Sequence, residues 1–496
     1  MGCKYITMLG RSGWALVNSY YAAVRERGYQ PDEVVIFAEE GTAGGLEAAS
    51  EGIRAVSVKY GFQPRIRSEV VRDGDFVEAG RKMTETIKAW KASGNKIAVD
   101  ITPGRKALVV GVLIPLNKLW VDHIFYLQID DTSDSAKPYM TIPLGRQTLR
   151  LHRGGGCVEA MSSASRPSFT LDEEEAQILI NLFLGDFELT YPITRIPLFS
   201  CTPTGGKYTL STAITPESFG IRDEDPYLEG PSYADVLECM MSSGILGFTN
   251  MEEFKEKLKA YRAYKNTLFA LDTNIVYRRF VSNTGLLNPK ECVIVSTVRD
   301  EITSVHNYKY TQEQIIQMKI AAPFERGLLD ELANRRMKKS RKAYRFANKE
   351  LKALAAAIPL EAAERFSGQE GEGDRIIART VSKCARERNA QIVLLTADSS
   401  MTDICDAEGI EHFLFEMPKE VPRESLCTGP QLRRLVADLA CVLALVKMNS
   451  IIIYGEFRGK RDAEDLKAVF LDGRAADGFK KDLEVCRELK GLGFKF

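Results

Sequence analysis

Short apolar runs and longer amphipathic runs alternate through the first 130 residues of the chain. Residues 5–9, 33–38, 65–70, 96–100 and 123–127 have the length and apolar content of strands, and residues 14–27, 46–60, 76–91 and 105–118 between them carry apolar positions at helical spacing. Strands that return in parallel need crossovers of this length. The series therefore predicts a parallel sheet covered by helices on both faces, doubly wound in the order 3-2-1-4-5.

A second series follows. Residues 268–271, 293–296 and 392–396 read as strands with helical sequence between them, which predicts another α/β domain over about residues 264–420. Residues 154–168 are rich in Gly and Ser, and residues 202–206 and 220–231 carry Pro and Gly punctuation, so the stretch between the two domains reads as a connector with its own hairpins and helices. The expected organisation is a first α/β domain (1–150), a connector (151–263), a second α/β domain (264–420) and a C-terminal α/β or helical extension (421–496). That last extension offers a helix from about Gln431, a strand at residues 451–454 and two charged helical stretches.

Composition narrows the class. At 496 residues the chain exceeds a single small module, since domains run to about 100–200 residues. Lys plus Arg and Asp plus Glu both number 67, so a charged partner must be met by local patches and not by a globally basic surface. The ten cysteines are scattered from Cys3 to Cys486 with no CxxC pair, which points to reduced thiols and a cytoplasmic protein. No leader is expected, and the apolar stretch at residues 435–446 is interrupted by Asp438 and too short to span a bilayer, so no membrane partner is expected. With four histidines, a mechanism built on several imidazoles is disfavoured.

In a sheet wound 3-2-1-4-5, ligands collect where the order reverses, beside the carboxyl ends of strands one and four. Gly10, Arg11, Ser12 and Gly13 follow strand one; Asp100, Ile101, Thr102, Pro103, Gly104, Arg105 and Lys106 follow strand four. Small residues let backbone amides approach a ligand, helix N-termini favour anions, and Arg11, Arg105 and Lys106 add charge, so a phosphate-bearing ligand fits. A nicotinamide cofactor is the rival, supported by Glu39 and Glu40 after strand two but lacking GxGxxG in the first loop. The run from Asp100 to Ala107 resembles the D-x-T-G-G-T-K-x motif of the CARF family, the Rossmann-like sensor domains of type III CRISPR defence, with Pro103 and Arg105 where the family carries Gly and Thr. The resemblance covers about residues 1–150. It implies a homodimer that binds a cyclic oligoadenylate, cyclic tetra-adenylate first among them, across its twofold axis.

Four acids stand at strand ends or early in helices of the second α/β domain: Asp272, Glu301, Asp374 and Asp398. If they converge, Mg²⁺ or Mn²⁺ would relieve their repulsion, because both prefer carboxylate oxygens. In order and spacing the set resembles the PIN-domain ribonucleases, with Asp272 and Asn274 in the D-x-N opening, Glu301 and Asp374 as second and third acids, and Thr396 and Asp398 in T-x-D. The resemblance covers residues 268 to about 415. It implies metal-dependent hydrolysis of phosphodiesters by the four acids, with Asn274 and Thr396 supporting and Asp403 as an extra acid; Asp300 leaves a second register open beside Glu301.

The most basic stretch, with Arg335, Arg336, Lys338, Lys339, Arg341 and Lys342 followed by Tyr344 and Phe346, has the charge and aromatic interleaving that suit single-stranded RNA. A solvated helix face balanced by acids is the alternative. Arg299 and His306 loosely resemble the R-x6-H of HEPN ribonucleases, but those are all-helical and residues 293–296 are strand-like, so a structural His306 is expected. The combined expectation is a cyclic-oligoadenylate-activated, divalent-metal-dependent endoribonuclease cutting single-stranded RNA. Its alternative is a non-catalytic nucleotide-sensing regulator that binds nucleic acid.

Overall fold

A computed structural model describes residues 2–116, 121–143, 146–152, 167–219, 230–264, 266–362, 364 and 372–492. Most of the Gly- and Ser-rich stretch at 154–168, most of 220–231, Gly371 and the expected end of the helix at 117–118 lie outside these residues.

The first sheet contains β1 (Cys3–Leu9), β2 (Glu33–Glu39), β3 (Arg65–Val71), β4 (Lys96–Asp100), β5 (His123–Ile129) and β6 (Gln147–His152). Its order is β3-β2-β1-β4-β5-β6, parallel except for β6, which pairs antiparallel with β5. The crossovers are α1 (Gly13–Arg27), α2 (Leu46–Lys59), α3 (Phe76–Ala92) and α4 (Lys106–Leu116). Successive β1 side chains explain the double cover: Tyr5 and Leu9 pack with α1 and α2, whereas Ile6 and Met8 pack with α3 and α4. The doubly wound parallel α/β expectation holds here, and β6 is an addition to it.

The middle residues supply β7 (Ser168–Leu171), β8 (Phe187–Tyr191), β9 (Ile196–Thr204) and β10 (Lys207–Ser211). Next come β11 (Thr267–Leu271), β12 (Cys292–Val295), β13 (Ile358–Leu360), β14 (Gln391–Thr396) and β15 (His412–Leu414), an all-parallel sheet in the order β13-β12-β11-β14-β15. This second parallel sheet repeats the 3-2-1-4-5 winding of the first. Its three-residue outer strands, β13 and β15, carry too little pattern to be read from sequence.

The last residues form β16 (Glu424–Cys427), β17 (Leu445–Met448), β18 (Ile451–Tyr454) and β19 (Leu466–Phe470). They join β7–β10 in one antiparallel eight-stranded sheet ordered β16-β10-β9-β8-β17-β18-β19-β7. The stretch read as a connector and the stretch read as a C-terminal extension thus share a sheet. Where two charged helical stretches are expected near the end, the chain forms β19 and one helix, Gly473–Leu492. No helix among the described residues is long and apolar enough to cross a membrane. The nine described cysteines are all free thiols.

Candidate functional site

In a parallel sheet all strands deliver their carboxyl ends to one edge, and the four acids of the second parallel sheet arrive there from four separate segments. Asp272 caps the short helix after β11, Glu301 lies on the helix Ser296–Ser304 after β12, Asp374 is in the first turn of the helix Glu372–Arg388, and Asp398 caps the helix Ser399–Glu408 after β14. All four line one cleft of about 410 Å³.

Register explains the support around Asp272. Leu271 pairs with Leu395 across β11 and β14, which places Thr396 beside Asp272. Thr396 Oγ1 donates to Asp272 Oδ2 at 2.6 Å, and Asn274 Nδ2 donates to the same oxygen at 2.5 Å. Thr273 N donates to Oδ1 at 2.6 Å, and its hydroxyl donates to Glu301. Asn274 is itself fixed, since its Oδ1 accepts from Ala397 N at 2.9 Å. Asn274 and Thr396 thus both hydrogen-bond Asp272 directly.

The charges in the cleft interact. Burial pushes the Asp272 carboxyl up to about 7, with Asp374 and Glu301 adding to the rise and the hydrogen bonds from Thr396 and Thr273 opposing it. Burial also raises Glu301 and Asp374, the first helped by Asp374 and the second by Asp398. Asp374 thus stands electrostatically between Asp398 and the Asp272–Glu301 pair. Glu301 lines the cleft, while Asp300 is exposed and is not among the cleft residues. Asp403 is exposed on its helix and is not among the cleft residues. Among the described residues, no three His, Cys, Asp or Glu side chains are disposed to hold a metal ion between them.

The same cleft is lined by Arg278, Lys339 and Lys342, together with Glu238. Glu238 comes from the helix Tyr233–Ser242, outside the parallel sheet, and no motif marks it in the sequence. Arg278 was missed although it lies one helical turn beyond Asn274, a spacing that puts both on one face.

Most of the basic stretch is structural. Arg341 is buried and donates to Tyr310 Oη at 3.0 Å and to the Val442 carbonyl at 2.9 Å, so it has no face to offer RNA. Lys338 pairs with Asp235 at 2.8 Å, Lys342 pairs with Asp235 at 2.6 Å, and Arg336 stacks over the Tyr344 ring at 4.1 Å. Phe346 is fully buried, and the backbone carbonyl of Arg335 accepts from Tyr310 N. Of the six residues expected to touch RNA, Lys339 and Lys342 reach the cleft. His306 is bonded to Asn348 at 3.1 Å and packs edge-on against Tyr344, the structural role expected of it.

At the first sheet, β1 and β4 lie side by side and their two loops touch: a Cβ on Gly10 would sit 2.1 Å from the Pro103 carbonyl oxygen. Gly104 is equally confined, with Val109 and Met8 within 2.8 Å of the position of an added Cβ. Asp100 is buried and accepts from Thr7, Ser19 and the Thr102 amide, so it braces the second loop from beneath. Thr102 Oγ1 in turn accepts from Leu127 N at 2.8 Å. Ser12 caps α1 without a side-chain capping bond, and its buried hydroxyl has no hydrogen-bond partner among the described residues. Arg11 and Lys106 are exposed. Arg105 is committed elsewhere, at 2.6 Å from the buried Glu39 and 3.6 Å from Asp73. That pairing occupies Glu39, one of the two carboxylates, with the exposed Glu40, on which a nicotinamide reading would depend.

No protein-family model matches the sequence, and no curated protein matches it. Solved structures give distant likenesses. Csm6 from Enterococcus italicus, bound to cyclic hexa-2′-fluoro-hexa-dAMP, is 16% identical over 27% of this chain and 34% of its own, with a TM-score of 0.21. A protein from Vibrio cholerae is 9% identical over 83% and 93%, with a TM-score of 0.26. A type III CRISPR defence DNA nuclease activated by cyclic oligoadenylate is 12% identical over 81% and 63%, with a TM-score of 0.21. The match spans about a third of the length of Csm6.

Proposed function

We propose that the chain is a divalent-metal-dependent endoribonuclease that cuts single-stranded RNA and is switched on by a cyclic oligoadenylate bound at the paired loops of the first sheet. The observation that carries this reading is the convergence of Asp272, Glu301, Asp374 and Asp398, from four segments spread over more than a hundred residues, in one cleft. The four acids offer only hard oxygen donors, the chemistry that Mg²⁺ or Mn²⁺ prefers, although no three of them are gathered around one point in this structure, and a bound cation would relieve the raised carboxyls of Asp272, Glu301 and Asp374. A metal held there would supply an acidified water as the nucleophile for a phosphodiester and a counter-charge for the leaving 3′ oxygen. The chain's own contribution is to hold Asp272 through Thr396, Asn274 and Thr273, so that its carboxylate meets the cleft in one orientation.

The sensor half of the reading rests on the contact between the Gly10 and Pro103 loops, the unpartnered Ser12 hydroxyl, and the exposed Arg11 and Lys106, which together suit phosphate groups. A ring-shaped activator with repeated phosphates is matched by two copies of such a site, hence a homodimer in the cytoplasm acting in type III CRISPR antiviral defence. Activation would be a population shift towards a state in which the four acids or the substrate groove are aligned.

A fluorescent RNA-cleavage assay with Mn²⁺, with and without cyclic tetra-adenylate and with EDTA as control, tests the proposal. Cleavage that requires both metal and activator, and that is lost in Asp272→Asn and Asp398→Asn while activator binding persists, is the expected result. Unchanged cleavage in both variants overturns the site.

A further inference from the structure

The cleft that holds the four acids also holds two cations joined by one carboxylate. Arg278 and Lys342 both line the cleft, and both are held by one carboxylate: Arg278 Nη2 lies 3.1 Å from Glu238 Oε1, and Lys342 Nζ lies 2.7 Å from Glu238 Oε2. Each oxygen of Glu238 thus takes one cation, the arrangement that the two free oxygens of a phosphodiester would adopt. The side chains of Glu238, Arg278 and Lys342 retain between 15% and 21% exposure, so the bridge is open to exchange with a ligand in the cleft.

Two further observations set Glu238 apart from an ordinary surface acid. Lys342 has a second anchor, the buried Asp235 at 2.6 Å, which holds the ammonium at the cleft whether or not Glu238 stays. Arg278 Nε is buried and lacks a hydrogen-bond acceptor among the described residues, so the guanidinium is under-used by Glu238 alone. A phosphodiester offers more acceptor oxygens than a carboxylate.

We infer that Arg278 and Lys342 form a subsite for a backbone phosphate of the bound RNA strand, and that Glu238 occupies this subsite as a phosphate stand-in until the strand displaces it. The inference rests on the nuclease reading for the identity of the ligand, and it adds to that reading where the strand lies: between the acidic wall and the Arg278–Lys342 pair. Arg278 and Lys342 are positioning residues; Glu238 sets the threshold for strand entry, and it belongs to the helix Tyr233–Ser242 outside the parallel sheet.

Fluorescence anisotropy of a labelled single-stranded RNA on the full chain in EDTA reads binding without cleavage. Glu238→Gln, close to isosteric, should lower Kd about tenfold, since it removes a competing anion that is 1.4 kcal/mol or so of binding at that ratio. Adding Arg278→Ala to Glu238→Gln should erase the gain, while Glu253→Gln on the solvent face of another helix should leave Kd unchanged. Thermal melts confirm that each variant is folded. A Glu238→Gln Kd equal to or weaker than wild type, a gain that survives Arg278→Ala, or an equal gain in Glu253→Gln each overturns the subsite. The nuclease reading fails separately: if Glu238→Gln and Arg278→Ala behave as expected but no metal supports cleavage, the strand is bound there and not cut.

Discussion

Thr396 at the end of β14 donates a 2.6 Å hydrogen bond to Asp272 at the end of β11. The bond joins residues 124 positions apart and pins an acid that is only 3% exposed. Burial and the neighbouring Asp374 and Glu301 outweigh it, leaving the Asp272 carboxyl at about 7. Without metal, stability drawn from protonating this group is fully present below the usual carboxylate pKa near ~3.9 and is lost as pH rises through about 7. Asp272→Asn should therefore melt higher than wild type in EDTA at about pH 8, with the gap closing towards about pH 4. Melting curves across that range check it, and a lower melting point for the variant at the alkaline end would show that the charged carboxylate is better compensated than its surroundings imply.

Asp235 behaves in the opposite sense. Burial alone would raise its carboxyl, but Lys338 and Lys342 win and hold it at about 2. Its contribution is present above the usual carboxylate pKa and disappears as pH falls towards about 2. Asp235→Asn should cost about 2 kcal/mol near neutral pH and nothing at the acid end, as read by denaturant titration at several pH values.

Gly10 has no room for a side chain because the Pro103 carbonyl occupies the position. Gly10→Ala must push the two loops apart at the point where strand order reverses. Activator affinity measured by calorimetry should fall at least about tenfold with only a modest drop in melting temperature, whereas Lys106→Ala should weaken the same affinity with no change in stability. Equal affinity in wild type and Lys106→Ala would place the ligand elsewhere.

Arg345 is 2% exposed and binds Asp438 at 2.7 Å, with Glu173 at 2.8 Å and Glu464 at 3.0 Å beside it. It lies between β12 and β13 of the second parallel sheet, while Glu173 follows β7, Asp438 lies on the helix between β16 and β17, and Glu464 precedes β19. Arg345→Ala should destabilise by about 3–5 kcal/mol, because buried carboxylates lose their counterion. The double variant Arg345→Met, Asp438→Leu should recover part of that loss in the same chemical denaturation experiment.

Much of the first sheet was legible in sequence because a strand buried on both faces is a continuous apolar run, and a crossover helix has a period of its own. Asp272, Asn274, Thr396 and Asp398 were legible for a related reason: they sit within three residues of such a run, so locating the strand locates the edge. Glu301 and Asp374 depended on order and spacing. The basic stretch was legible as charge but not as location, since Arg341 and Arg345 read the same in sequence whether they face solvent or, as here, buried carbonyls and carboxylates.

By itself, then, the sequence determined the two parallel α/β series, the loops beside strands one and four, and the acids at the edge of the second sheet, because each is set by local period or by adjacency to a strand. Only the tertiary structure decided that β7–β10 pair with β16–β19 across some two hundred intervening residues, that Arg105 is spent on Glu39, and that Glu238 bridges Arg278 and Lys342 in the cleft. Antiparallel pairing and ion pairing between distant segments depend on which surfaces meet after each unit has formed, and no local pattern in the chain encodes that meeting.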